Sequence, residues 1–97
     1  MATSIQQGII EFKNFSCAGN DTTTISKTVN FNTPYLNIPK VHVGYKKIDH
    51  CTDREGGNNF RVDTNITDVT NDNFTVEVKS WDNTKLYEIH LNWISLP

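Results

Sequence analysis

The feature that most constrains this chain is a side-chain period of two that returns, between short turn-forming stretches, along its whole length. From Gln7 to Phe15 the alternation is rough, with Ile10, Phe12 and Phe15 as its apolar positions. From Thr23 to Phe31 it is clean: Ile25, Val29 and Phe31 share one face, and Lys27 is the polar exception on it. Val41, Val43 and Tyr45 mark a third run between Lys40 and Asp49, and Phe60, Val62, Thr64 and Ile66 a fourth. Phe74, Val76 and Val78 alternate against Thr75, Glu77 and Lys79, and Tyr87, Ile89, Leu91 and Trp93 against Glu88, His90 and Asn92. Successive side chains of a strand point to opposite faces, so this pattern describes half-buried strands. Thr, Val, Ile and aromatic residues dominate the runs, as a pleated surface prefers.

Turn chemistry parts the runs. Ala18-Gly19-Asn20-Asp21, Asn32-Thr33-Pro34-Tyr35 with Ile38-Pro39, Glu55-Gly56-Gly57-Asn58-Asn59, Thr70-Asn71-Asp72-Asn73 and Asp82-Asn83-Thr84 supply residues that tolerate positive φ or fix a turn locally. No stretch of about ten residues carries a helical stripe. The expectation is an all-β fold, a six-stranded antiparallel β-sandwich, formed by a single domain over residues 1–97. In an up-and-down arrangement the first, third and fifth connections share one end. That end gathers Gly19, Asn20 and Asp21, then Asn59 and Arg61, then Trp81, Asp82 and Asn83. Loops at one end of a sandwich are where sites commonly form.

Several function classes are disfavoured at once. The net charge is −2 and the nine Lys and Arg residues are scattered, so no basic stripe awaits a nucleic acid. The longest apolar runs are two or three residues, far short of the about 20 that span a bilayer. The start, Met1 to Gln7, has neither a basic nor an apolar leader region, so a signal peptide is not expected. His50-Cys51-x-Asp53 is the densest cluster of ligand-type side chains, yet it lacks a fourth metal ligand at workable spacing and reads as exposed loop. The aspartates form no alternating calcium loop. No nucleophile elbow, phosphate-binding glycine loop or zinc-protease motif is present, so neither an enzyme nor a metal or other cofactor is expected. Cys17 and Cys51 fall on the first and third loops, with a bridge there and two free thiols as the open alternatives; sequons stand at Asn14, Asn20, Asn65 and Asn73.

The residues gathered at the loop end suit a sugar, which has a polar rim and apolar C–H faces. Trp81 offers an aromatic plate, Arg61 a rigid fork of donors, Asp21 an acceptor for two hydroxyls, and Asp82 or Asn83 further hydrogen bonds. The plain alternatives stay open from these residues alone: Trp81 packs in a sheet, Arg61 pairs with a carboxylate, and Asp21 caps a turn.

The string Ser80-Trp81-Asp82-Asn83-Thr84-Lys85-Leu86-Tyr87, followed by Asn92-Trp93-Ile94-Ser95, resembles the C-terminal signature of the H-type lectins. Phe31-Asn32-Thr33-Pro34-Tyr35 with Pro39, Ile48-Asp49, Asn59-Phe60-Arg61-Val62, and Val69-Thr70 with Phe74 resemble further elements of that family in the same order. The resemblance implies a trimer, with a hexamer of two stacked trimers as the open alternative. It also implies sites at the protomer interfaces that take terminal galactose or N-acetylgalactosamine without metal. By position, Arg61 would donate to ring hydroxyls, Trp81 would shape the pocket and Tyr87 would line it. Gly19 and Asp21 would come from the first loop, with Asn20 a rival for Asp21. A family member carries His where this chain has Asp82, and an ionised carboxylate accepts but does not donate, so the choice between the two sugars is open. Tyr87, at the head of the alternating Ile89, Leu91 and Trp93, is a candidate for pocket and for core alike. Such a lectin would act outside the cell or at its surface, after non-classical export or as a mature secreted domain. The competing reading is a sugar-independent sandwich for adhesion or protein interaction.

Overall fold

A computed structural model describes residues 2–13, 23–50, 60–81, 84 and 86–97. Six strands follow one another: β1 (Gln6–Phe12), β2 (Thr23–Asn30), β3 (Lys40–His50), β4 (Val62–Val69), β5 (Asn73–Ser80) and β6 (Leu86–Leu96). They form two three-stranded antiparallel sheets, ordered β1-β6-β3 and β2-β5-β4. The expected antiparallel sandwich is therefore present, with its latest two strands at the centres. Of the first run, Phe15 lies outside the described residues.

The alternation becomes burial. On β5, Phe74, Val76 and Val78 are fully buried, and on β6 so are Ile89 and Leu91. Ile10, Phe12, Phe31, Tyr35, Leu86 and Trp93 complete the core between the sheets. The rings of Phe31 and Trp93 lie 5.7 Å and 5.3 Å from that of Phe74. Such offset aromatic contacts add to the area each ring removes from water.

Lys27 shows how the one polar residue on an inward face is accommodated. Its ammonium donates to the Glu11 carbonyl oxygen and sits 5.4 Å over the Phe12 ring, so the stem lies on the core while the charge reaches an edge strand. That contact places β2 beside β1 along one side of the sandwich. On the other side the Tyr45 and Thr64 hydroxyls, 2.7 Å apart, join β3 to β4.

One close approach is needed for the central strand to receive its tryptophan. Gly8 is paired with Trp93, and a β-carbon at Gly8 would stand 2.6 Å from the indole Nε1. Trp93 is held among Phe31 and Phe74 and has little room to retreat. Gly8→Ala is expected to cost about 1–3 kcal/mol, read as a lower midpoint in urea with an unchanged slope.

The end formed by 31–39, 70–72 and the chain termini is closed by hydrogen bonds. Tyr35 is buried with its hydroxyl 2.6 Å from Ser95 Oγ and donating to the Ser4 carbonyl at 3.2 Å. The Asn71 side chain donates to the carbonyls of Tyr35 and Leu36, and the Phe31 N–H to that of Asp72. Thus the Phe31…Pro34-Tyr35 element is a structural plug at the end opposite the one considered next.

Candidate functional site

Register settles which connections meet. In one sheet Thr23 and Val62 both pair with Ser80. In the other, Phe12 pairs with Ile89 and His50 with Leu86. Ser80 and Leu86 are joined by 81–85 alone, so the first, third and fifth connections all leave from one end. The expectation that these three share an end agrees with this pairing. Gly19, Asn20, Asp21, Asp82 and Asn83 lie outside the described residues, as do Cys17 and Cys51.

Arg61, Trp81 and Tyr87 are described, and the first two are tied together. Thr84 is buried, and its hydroxyl accepts the Arg61 backbone N–H at 2.8 Å. The Thr84 N–H in turn donates to the Trp81 carbonyl at 3.2 Å, closing a turn. A buried threonine thus pins the residue that enters β4 to the residue that leaves β5, and a buried hydroxyl with such a partner is costly to remove. Arg61 keeps its side chain exposed, and Trp81 is half-buried. The Lys79 ammonium lies 6.0 Å from the Trp81 ring centroid, a cation–π contact worth about 0.5 kcal/mol at such a surface.

Tyr87 departs from the alternation. β3 and β6 slip in register so that Asp49 pairs with Glu88 but His50 with Leu86, leaving Tyr87 as the extra residue of a bulge. Leu86 is consequently in the core and Tyr87 is 48% exposed, where a continuous period of two would place Tyr87 on the side of Ile89. Of its two candidate roles, burial in the core is the one this geometry removes. Phe60, which the sequence reads as the start of a strand, instead precedes β4 and is 50% exposed, with its ring centroid 5.1 Å from that of His50.

Beside Tyr87, the outward face of the β1-β6-β3 sheet carries a charge network. Glu88 accepts from Lys47 at 3.1 Å and lies 3.0 Å from His90 Nε2, while Glu11 stands 3.7 Å from His90 Nδ1 and 3.3 Å from Lys13. The hydrogen bond from Lys47 holds the Glu88 carboxyl below the usual carboxylate range and raises Lys47 above its own. The network links β1, β3 and β6 across this face.

The profile of the H-type lectin domain matches residues 26–96 of this chain. The chain belongs to the H-type lectin family. It is a carbohydrate-binding lectin domain, and both its family and its fold are those of binders rather than enzymes. Discoidin-2 of Dictyostelium discoideum is 26% identical to the chain over 94 residues, which cover 96% of the chain and 35% of that protein. The structure of recombinant discoidin II from the same organism superposes with a TM-score of 0.82 at 26% identity, over 95% of this chain and 36% of that one. Wild-type discoidin II gives 0.81 at 23% identity, over 98% and 38%, and shows the same fold. The chain thus spans about a third of the length of these relatives.

Sequence reasoning singled out Arg61 and Trp81 but gave Thr84 no role of its own. The available signal was its place in the Trp81-to-Tyr87 string: a hydroxyl residue three positions after the tryptophan, in a loop too short to leave it exposed.

Proposed function

We propose that this lectin domain binds terminal galactose or N-acetylgalactosamine residues of glycans, without metal, in a pocket at the loop end. In this reading Trp81 lies against an apolar C–H face of the sugar and Arg61 donates to ring hydroxyls. Tyr87 forms the margin; Gly19, Asn20 or Asp21, and Asp82 complete the pocket from the first and fifth loops. The observation that carries the reading is the Arg61 backbone N–H to Thr84 hydroxyl bond of 2.8 Å, which ties the main chain bearing the Arg61 fork to the turn bearing the Trp81 plate. Holding both backbone positions in place before the sugar arrives lowers the ordering cost of binding.

A single pocket of this kind is weak, because sugar hydroxyls exchange water for protein partners at little net gain. Three copies presenting their pockets together raise avidity by about 10²–10⁴ over one site. We therefore assign the domain a homotrimer and, as its target, glycan-coated surfaces outside the cell. Retention on immobilised galactose with elution by the free sugar tests this directly. Passage of a folded, trimeric protein straight through the column would favour a sugar-independent adhesion module instead.

Arg61→Ala removes the donor fork but keeps the backbone bond to Thr84. It is expected to weaken monosaccharide binding by about 1.5–3 kcal/mol, the range for hydrogen bonds from a charged donor. Calorimetry showing a loss under about 0.5 kcal/mol would take Arg61 out of the pocket.

A further inference from the structure

Phe60 is a large apolar side chain left half in water by this fold. It is absent from the core cluster, and it is not a frayed residue, because its neighbour is pinned by the Thr84 hydroxyl and its own ring rests on His50. His50 in turn pairs with Leu86, next to the extruded Tyr87. Contacts therefore run without a break from Trp81 through Thr84, Arg61, Phe60 and His50 to the Tyr87 bulge. Phe60 stands at this end of the sandwich as the residue before Arg61, which is tied to the Trp81 turn. A half-exposed ring braced by a neighbour offers the C–H face of a sugar a flat apolar surface at low ordering cost.

We infer that Phe60 is the stacking face of a second subsite, which takes the penultimate sugar of a glycan whose terminal residue occupies the Arg61–Trp81 pocket. The inference rests on the lectin reading proposed above. The chemistry commits to a pyranose with mostly equatorial hydroxyls, such as glucose. Its hydroxyls point outward around the ring and leave both C–H faces apolar, matching an aromatic plate that offers no hydrogen bond of its own. A phenylalanine here reads shape and apolar surface, whereas Arg61 reads hydroxyls. The two subsites thereby divide the recognition of a disaccharide.

The test compares methyl galactoside with lactose, in which galactose is joined to glucose, by calorimetry on the wild type and on Phe60→Ala. The wild type is expected to bind lactose about fivefold to tenfold more tightly than the monosaccharide, the gain of one aromatic stacking contact. In Phe60→Ala that ratio is expected to fall to near one, and in Phe60→Tyr, which keeps the plate, to persist. Equal affinities for the two sugars in the wild type, or an unchanged ratio in Phe60→Ala, would overturn the subsite while leaving the terminal pocket standing. A change of oligomeric state in Phe60→Ala, seen by light scattering, would overturn it too, by making Phe60 a subunit contact. Binding of neither sugar by the wild type would instead bring down the galactose-type pocket proposed above, and the subsite with it.

Discussion

Trp81→Ala is expected to abolish measurable binding of galactose-type sugars while leaving the β-sheet circular dichroism intact. The indole is half-buried at the point where β5 ends, with Lys79 over its ring and its carbonyl bonded to the Thr84 N–H. Alanine keeps that carbonyl, so the turn and the Arg61 tie survive. What disappears is the apolar plate, and central tryptophans of binding sites cost about 2–4 kcal/mol when truncated. For a pocket that is weak to begin with, a loss of that size takes binding out of reach of direct calorimetry. Wild-type affinity in Trp81→Ala would sink the pocket assignment, because Trp81 is the plate assigned to the terminal sugar.

The second large effect is structural. Phe74→Ala is expected to destabilise the domain by about 3–5 kcal/mol, the cost of deleting a buried aromatic side chain and leaving a cavity. Phe74 has no exposed surface and stands between Phe31 and Trp93 near the start of β5. A domain of this length has a total stability of about 5–15 kcal/mol, so the variant would unfold more than about 10 °C earlier on heating. A midpoint within about 2 °C of wild type would mean that the aromatic cluster is not the core that holds the sheets together. Phe60→Ala serves as the internal contrast, since half of that ring is already in water and its loss should barely move the midpoint.

The sequence was most legible where burial alone sets the pattern. On β5, Phe74, Val76 and Val78 alternate in sequence and are all fully buried, because a central strand between two neighbours has one face committed to the core throughout. Even Lys27 was legible as the polar exception, and its stem and charge part company as a long cationic side chain allows. Alternation marks a buried face but not the strand beside it, so the pairings β1 with β6 and β2 with β5 were not readable from it. The bulge at Tyr87 escaped for the same reason. It arises from how β6 meets β3, and one extra residue there exchanged the places of Tyr87 and Leu86. Phe60 reads as a strand residue because its apolar character continues the period of Val62, Thr64 and Ile66, whereas the strand begins only at Val62.

For the site, Arg61 and Trp81 drew attention through residue chemistry and through resemblance to the H-type lectins. The bond that unites them was not visible in either. A threonine between Asn83 and Lys85 looks like an ordinary turn residue, and only the folded arrangement buries its hydroxyl against the Arg61 N–H. The general point is that a short loop carrying a ligand-type aromatic needs an internal anchor, and a small hydroxyl residue inside that loop is the economical choice.

The most direct test of the central claim is a glycan array probed with labelled protein at physiological salt, with and without a chelator. Signal is expected only on glycans ending in galactose or N-acetylgalactosamine, unchanged by the chelator, with the preferred sugar revealing what Asp82 accepts. A blank array from a folded, trimeric protein would contradict it.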